Sequence, residues 1–378
     1  MNPDILFSGI FASYALFISL LCKGWRDVVY QTQENSEYPI FSEGISVIIP
    51  FRNEEKNLPA FLNSLKKNVL NINSFKKIEF IFIDDHSEDQ SLAIVKKWKS
   101  ENNQIPITVL EAEGVGKKSA LKTGSFRAAF EWILFSDADT IWPDNRLSEL
   151  FSVKFPKNLV LLSGPVYFNR STHFLFRIEF FALMKSGAAF IGLKKPIFCN
   201  GANLIVKKEV WQNFVPKLDK IPNPSGDDVF LLQHVEKEFG ADKIYFTFKP
   251  SQFIETTGPS SFKSFLHQRI RWASKSKYYQ SYLSKFVSIY ILTFNLSLLF
   301  YLFFTAYHFR YLTVMITIFS ISLLDFIFLN YKNIFKPYFR WSFGEVVLGR
   351  IFVTAAYPVI GFLSLPGIFI WKTRKFVT

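Results

Sequence analysis

Cysteine is nearly absent from this chain of 378 residues: it has Cys22 and Cys199 and no more. Two isolated thiols make no C-x-x-C pair, which excludes a disulfide framework and a Cys-ligated zinc site. Acidic side chains are also in deficit, 31 against 44 Lys and Arg, so the formal net charge is +13. That balance favours anionic partners such as phosphates, nucleotides or anionic lipid headgroups. No recognised nucleic-acid-binding module is present, so no nucleic acid is expected as a partner. Internal repeats and low-complexity tracts are missing too. No basic stretch precedes the first apolar run, which argues against a cleaved signal peptide and for a retained anchor.

What is abundant is aromatic and apolar. Hydrophobic residues make up 49% of the chain, aromatics 18%, and 45 residues are Phe. Ile5 to Cys22 is an uncharged run of 18 residues, followed by Lys23 and Arg26. Phe286 to Tyr307 is a second uncharged run, and Tyr311 to Asn330 a third that carries Asp325. Each is long enough to cross the hydrocarbon core. Val346 to Trp371 is a fourth, interrupted by Arg350, Pro358 and Pro366. Lys23, Arg26, Lys332, Lys336 and Arg340 all lie inside if the middle of the chain is cytoplasmic. Lys372, Arg374 and Lys375 join them only if the fourth segment turns back, so a re-entrant or interfacial hairpin bent near Pro358 is expected there. Asp325 inside a span is a functional candidate by default, but it can equally pair with Arg350.

Between Gly44 and about Ser260 the pattern changes. Ile45–Pro50, Ile78–Ile83, Ile107–Leu110, Trp132–Phe135 and Leu159–Leu162 are short runs rich in β-branched or aromatic residues. Continuous apolarity over that length predicts strands covered on both faces. Helical periodicity separates them: Leu58, Phe61, Leu62 and Leu65 share one face of Glu54–Leu70, and Asp89–Trp98 follows Ser87 as a possible cap. Alternation of this kind predicts an α/β domain with a mostly parallel sheet. Ligands in such sheets bind at the carboxyl ends of the strands. Three polar groups fall there: Pro50-Phe51-Arg52-Asn53-Glu54, then Asp84-Asp85, then Asp137-Ala138-Asp139.

Two carboxylates one residue apart repel each other unless a cation lies between them. Asp137 and Asp139 suit a hard divalent ion that takes one or two carboxylates and completes its shell with phosphate oxygens. Gly114-Val115-Gly116-Lys117-Lys118 is not a P-loop, because Glu111 stands where the first glycine is required. It reads instead as a flexible turn carrying cations that can reach a phosphate. Gly226-Asp227-Asp228 opens a helix, where the acids either complement the helix dipole or hold a general base. Cys199 to Asn203 (Cys-Asn-Gly-Ala-Asn) is a tight polar turn that either lines an acceptor pocket or only reverses the chain. Phe262 to Phe286 interleaves basic and aromatic residues as an interfacial helix would; the spacing of Gln268, Arg271 and Trp272 within it is not explained by lipid contact.

Taken in order, P-x-R-N-E, D-D-x-S-x-D, G-x-G-K, D-A-D, G-A-N, G-D-D and Q-x-x-R-W resemble family 2 glycosyltransferases of the GT-A fold. The resemblance covers roughly Gly44 to Lys277. It implies that Pro50, Arg52, Glu54, Asp84 and Asp85 bind the nucleoside of a nucleotide-diphosphate sugar, with a UDP-sugar preferred. It implies that Lys117 contacts the nucleotide or its diphosphate and that Asp137 and Asp139 hold Mg²⁺ or Mn²⁺. Asp228 would be the general base, with Asp227 beside it where the family more often has Glu. Gln268, Arg271 and Trp272 would close the site over the acceptor and the leaving diphosphate, with Asn203 nearby. The implied reaction is single displacement with inversion, onto a hydroxyl of a lipid, lipid-linked or glycan acceptor.

These readings divide the chain into an anchor and linker (1–43), a GT-A domain (44–260), an interfacial helix (261–285) and a membrane region (286–378). They predict an integral protein of a bacterial inner membrane with its catalytic domain in the cytoplasm. Q-x-x-R-W is shared by processive polysaccharide synthases and ceramide glucosyltransferases. One anchor before the domain and few spans after it are more similar to the second group. A transporter or non-catalytic scaffold is the remaining alternative, and the set of acids has no use in it.

Overall fold

The computed structural model describes residues 3–34, 40–72, 77–223, 225–335, 339–371 and 374–377. Among the basic residues used above for orientation, Lys336 and Lys372 lie outside this set. The chain opens with helix α1 (Pro3–Glu34) and then builds strand β1 (Ile45–Phe51), α2 (Leu58–Leu70), β2 (Ile78–Asp84), α3 (Ser91–Glu101), β3 (Ile107–Glu111), α4 (Lys117–Arg127) and β4 (Trp132–Phe135). The apolar runs thus become the expected strands, and every residue of β1 and β4 is buried. Ser87 does not cap α3. The turn before that helix is held instead by Asp84, whose Oδ1 accepts from Ser87 N at 3.0 Å, and by Asp89, which accepts from Ser91 N at 2.9 Å.

The second half continues with β5 (Thr140–Ile141), α5 (Arg146–Ser152), β6 (Leu161–Ser163), β7 (Val166–Phe168), α6 (Phe174–Gly192), β8 (Leu204–Lys207), α7 (Lys208–Leu218), α8 (Asp227–Phe239), β9 (Ile244–Phe246) and β10 (Ile254–Thr256). A seven-stranded sheet runs β3-β2-β1-β4-β8-β6-β9. The pairs β1–β2, β1–β4, β2–β3 and β6–β9 are parallel; β8 alone runs against its neighbours β4 and β6. Ile45 stands opposite both Ile78 and Trp132, so the C-terminal ends of β1, β2 and β4 share one rim. A second sheet is ordered β5-β10-β7, and β5 follows β4 in the chain after a short turn.

The last part of the chain is helical: α9 (Phe262–Ser274), α10 (Tyr282–Tyr307), α11 (Tyr311–Asn330) and α12 (Phe343–Ser364), then a hairpin of β11 (Ile368–Trp371) and β12 (Arg374–Val377). Among the described residues four helical segments are long and apolar enough to cross a membrane: Ser8–Tyr30 in α1, α10, α11 and α12. The hairpin expected at Pro358 is corrected, because α12 is one helix that runs through this proline. An interior proline removes one backbone donor and crowds the carbonyl four residues back, and in apolar helices neighbouring groups can take up the freed carbonyl. Arg350 is neutralised where it stands: Nε and Nη2 reach the two Asp325 oxygens at 2.6 and 2.8 Å, and Tyr14 OH donates to the same carboxylate at 2.5 Å. Trp341, just before α12, packs on Phe181 of α6, and β11 after it lies against α9. The start of α12 therefore abuts the α/β domain, and the tail hairpin lies against α9.

Helix α6 joins the two halves. None of its residues is exposed: one flank covers the sheet and the other meets α1. The crossing is close enough to require glycine on both helices. A Cβ on Gly24 would lie 2.1 Å from the Ala189 carbonyl oxygen, and one on Gly192 would lie 2.0 Å from that of Gly24. Lys185 of α6 donates to the carbonyls of Phe328, Leu329 and Tyr331, which ends α11 against the catalytic domain.

Candidate active site

The rim residues are positioned by the turns that follow each strand. After β1, Arg52 bends back onto the turn after β2. Its Nη1 donates to the Asp85 carbonyl at 2.9 Å and also to that of His86, and its Nη2 pairs with Glu88 at 2.7 Å. Glu54 accepts from Asn57 Nδ2 at 2.6 Å, while its own N–H donates to Ser91 Oγ at 2.7 Å. Asp85 Oδ1 accepts from Gly116 N at 2.7 Å, which fixes the turn that begins α4. Gly116 has φ +98°, a conformation glycine adopts without strain, so the glycine sets the direction of Lys117. Pro50, Arg52, Glu54, Asp85 and Lys117 all line one cavity of about 780 Å³. Asp84 does not line it and holds the turn instead.

The D-A-D triplet bridges β4 and β5. Thr140 Oγ1 donates to the Asp137 carbonyl at 2.8 Å, and Trp142 Nε1 donates to Ser136 Oγ at 3.1 Å, so both ends of the triplet are pinned. Lys117 Nζ lies 2.5 Å from Asp137 Oδ1. Burial by itself lowers the Lys117 ammonium, but Asp137 and Asp227 outweigh it and hold it above its ordinary value. A cation is thus already needed at this turn. Asp137 and Asp139 offer hard oxygen donors facing a cavity, and among the described residues no third His, Cys, Asp or Glu closes a cage around them. That arrangement fits Mg²⁺ or Mn²⁺ with substrate oxygens completing the shell.

Opposite the triplet, Gly226 at φ +97° starts α8, and Asp227 and Asp228 are its first residues. Asp228 is bound through both oxygens: Oδ1 accepts from Val229 N at 2.7 Å and Oδ2 from Gly201 N at 3.2 Å, with Lys275 Nζ 3.4 Å away. Burial pushes Asp228 up, but Lys275, Lys117 and the two N–H donors outweigh it and hold the carboxyl below its ordinary range. Asp227 is different. Burial raises it, and repulsion from Asp228 and Asp137 adds to that against the opposing pull of Lys117.

The third wall is α9. Arg271 faces Asp137, Asp227 and Asp228 across the cavity, and its Nη1 reaches Ser225 Oγ at 3.3 Å. Gln268 and Trp272 line the same cavity. Both are set by Arg269, whose Nη1 donates to Gln268 Oε1 at 2.5 Å and whose guanidinium lies 4.2 Å from the Trp272 ring centre. Arg269 is anchored in turn by a bidentate pair with Glu179 of α6, and Tyr357 of α12 donates to the same carboxylate at 3.0 Å. Sequence reasoning missed Arg269, Glu179 and Lys275. For Lys275 a signal existed: it stands one helical turn beyond Arg271, on the same face.

The expectation for Asn203 is corrected. Its Nδ2 donates to the Pro165 and Gln252 carbonyls at 3.0 and 2.8 Å, and its Oδ1 accepts from buried Arg146 at 2.7 Å. Fully committed inside the scaffold, it does not line the cavity; its neighbours Asn200, Gly201 and Ala202 do.

A mostly parallel sheet with one reversed strand, carrying carboxylates and cations on its C-terminal rim, is a GT-A-like domain, here joined to apolar helices. A model of "Glycosyl transferase family group 2" matches residues 132–336, just over half the chain, and one of "Glycosyl transferase family 2" matches residues 46–214. The chain belongs to the family 2 glycosyltransferases. It is similar to poly(ribitol-phosphate) β-N-acetylglucosaminyltransferase TarS of Staphylococcus aureus, 36% identical over 25% of this chain and 16% of that protein. It is also similar to mouse dolichyl-phosphate β-glucosyltransferase, 36% identical over 26% of this chain and 33% of that one. The chain thus spans no more than a third of the length of these curated relatives. Among solved structures, mannosyltransferase PcManGT of Pyrobaculum calidifontis, in complex with GDP-Man and Mn²⁺, covers 93% of this chain and 97% of its own at 15% identity, with a TM-score of 0.48.

Proposed function

We propose that this protein is an inverting glycosyltransferase that moves a sugar from a nucleotide-diphosphate sugar, with UDP preferred, to a hydroxyl of a lipid or lipid-linked acceptor at the membrane. The observation that carries this reading is the convergence of Asp137, Asp227 and Asp228 with Lys117, Arg271 and Lys275 on one cavity. Such a set matches a reaction that handles a diphosphate on one side and a proton on the other. Arg52, Glu54 and Asp85, with Pro50, form the nucleoside end, and Lys117 meets the diphosphate. Asp137 and Asp139 would hold Mg²⁺ or Mn²⁺, which would supply charge neutralisation there. Arg271 steadies the leaving diphosphate, as a guanidinium fork suits phosphate oxygens.

Asp228 takes the acceptor proton as general base. Lys275 and the helix N-terminus keep it ionised, which is the state a base requires. Asp227 beside it has the higher proton affinity and is the next candidate. Gln268 and Trp272 bound the acceptor side. A displacement with one base and one stabilised leaving group inverts the anomeric carbon and needs no covalent nucleophile. The basic flanks of the spans favour a cytoplasmic catalytic domain on a bacterial inner membrane.

The test is transfer from a panel of radiolabelled nucleotide sugars into membrane lipids by the purified protein, with and without Mn²⁺, resolved by product size. A short, solvent-extractable labelled lipid that forms only with the metal is expected. A long, non-extractable polymer would make the protein a glycan synthase instead.

A further inference from the structure

The cavity does not end at the carboxylates. From Asp137 and Asp228 it passes α9 and continues between α6, α10 and α12. Its deep wall is built from Val287, Ile291, Leu292, Leu329, Val353 and Ile360. These lie on helices whose outer faces are apolar and exposed, as at Phe300, Phe303 and Leu363. Polar groups along this stretch are few, and one acceptor, Asn295 Oδ1, is buried without a hydrogen-bond partner. Asp325 is taken by Arg350 and Tyr14, Ser288 Oγ donates to the Ser284 carbonyl at 2.8 Å, and Asn295 Nδ2 donates to the Ile291 carbonyl at 2.8 Å.

We infer that the deep arm of this cavity holds the hydrocarbon chain of the acceptor, with the acceptor hydroxyl presented upward to Asp228. The inference rests on the transferase reading above and deepens it by placing the acceptor's hydrocarbon chain inside the protein. A growing glycan would require polar partners for its hydroxyls along the whole path, because an unpaired buried hydroxyl is costly. A methylene chain requires none. The volume of about 780 Å³, shared by both arms, lies in the range of roughly 300–1,000 Å³ common for ligand pockets. Gln268 and Trp272 line the same cavity, on the helix anchored by Arg269 to α6 and α12. The chain enters beneath them and the sugar donor lies above them.

The experiment uses the full-length protein in phospholipid nanodiscs with a long-chain fatty alcohol bearing a diazirine at its methyl end. After irradiation, adducts are mapped by mass spectrometry in the wild type, in Val353→Trp and in Val287→Trp. These indoles fill the arm from opposite walls, so a folding failure in one variant leaves the other informative. Adducts on Ile291, Leu292 and Val353 are expected in the wild type. Each tryptophan should reduce them by about tenfold, the equivalent of ~1.4 kcal/mol of binding, while UDP binding is unchanged. Adducts confined to Phe300, Phe303, Ile316 and Phe319, and indifferent to both substitutions, overturn the inference even if lipid transfer persists. Absence of nucleotide binding in the wild type would instead defeat the transferase reading.

Discussion

Clusters of buried charge in this molecule follow two opposite principles. Where α1, α11 and α12 meet, one guanidinium and one carboxylate pair through two bonds, and Tyr14 completes the set. The Arg269–Glu179–Tyr357 cluster repeats the design, bidentate and closed. The rim cluster is more open: Lys117 pairs with Asp137 and Lys275 with Asp228, each through a single contact, while Asp227 and Arg271 stand among them, and adjacent carboxyls are pushed in opposite directions. Closed pairs fix helices in place. On the function proposed above, the open cluster is completed by the charges of a substrate. Removing a residue from one should therefore damage chemistry, and from the other, stability.

The largest effect is expected at the rim. Asp228→Asn should lower transfer by about 10²–10⁴-fold, the usual worth of a general base, while nucleotide affinity measured by calorimetry stays near the wild-type value. Retained turnover would move the base to Asp227. In the closed cluster, Asp325→Asn strands a buried guanidinium and should cost about 3–5 kcal/mol of stability, read as a lower thermal midpoint in detergent. Arg271→Lys keeps the charge but loses the fork, and a rate loss on the order of tenfold to a hundredfold is expected; near-normal rates would mean that α9 serves only the membrane surface. The smallest effect is at Asp227. Its carboxyl is raised in the folded state, so its ionised form opposes folding above that pKa and the penalty disappears as pH falls through it. Asp227→Asn should thus leave the thermal midpoint at pH 7 unchanged or slightly higher, the reverse of Asp325→Asn.

The same contrast explains what could be read from sequence. β1, β2 and β4 were legible because a strand covered on both faces is a continuous apolar run, edge strand β3 because it is β-branched and apolar though only partly covered, and the rim acids because they end such runs. The Arg350–Asp325 pairing was legible as well, since a charge in a span needs a partner. Helix α6 was not: buried on every side, it has no polar face to give a helical period, and it is interrupted by Arg177, Glu179 and Lys185, whose partners lie far along the chain. Strands β5, β7 and β10, of two or three residues, are too short for any pattern. Asn203 was misread because a motif gives a residue's place in the chain but not where its side chain points. The path of α12 was misread because an interior proline perturbs a helix without fixing where it ends, and here Phe352 packs on Phe265, Ala356 is buried and Tyr357 bonds Glu179.

The central claim is that the rim carboxylates form a nucleotide-diphosphate site completed by a divalent ion. The most direct measurement is calorimetric titration of UDP into the wild type and Asp139→Ala, each with and without Mn²⁺. Metal-dependent binding in the wild type that is lost in Asp139→Ala, with metal-independent binding unchanged, is the predicted result. Equal metal-dependent affinity in both proteins would contradict it.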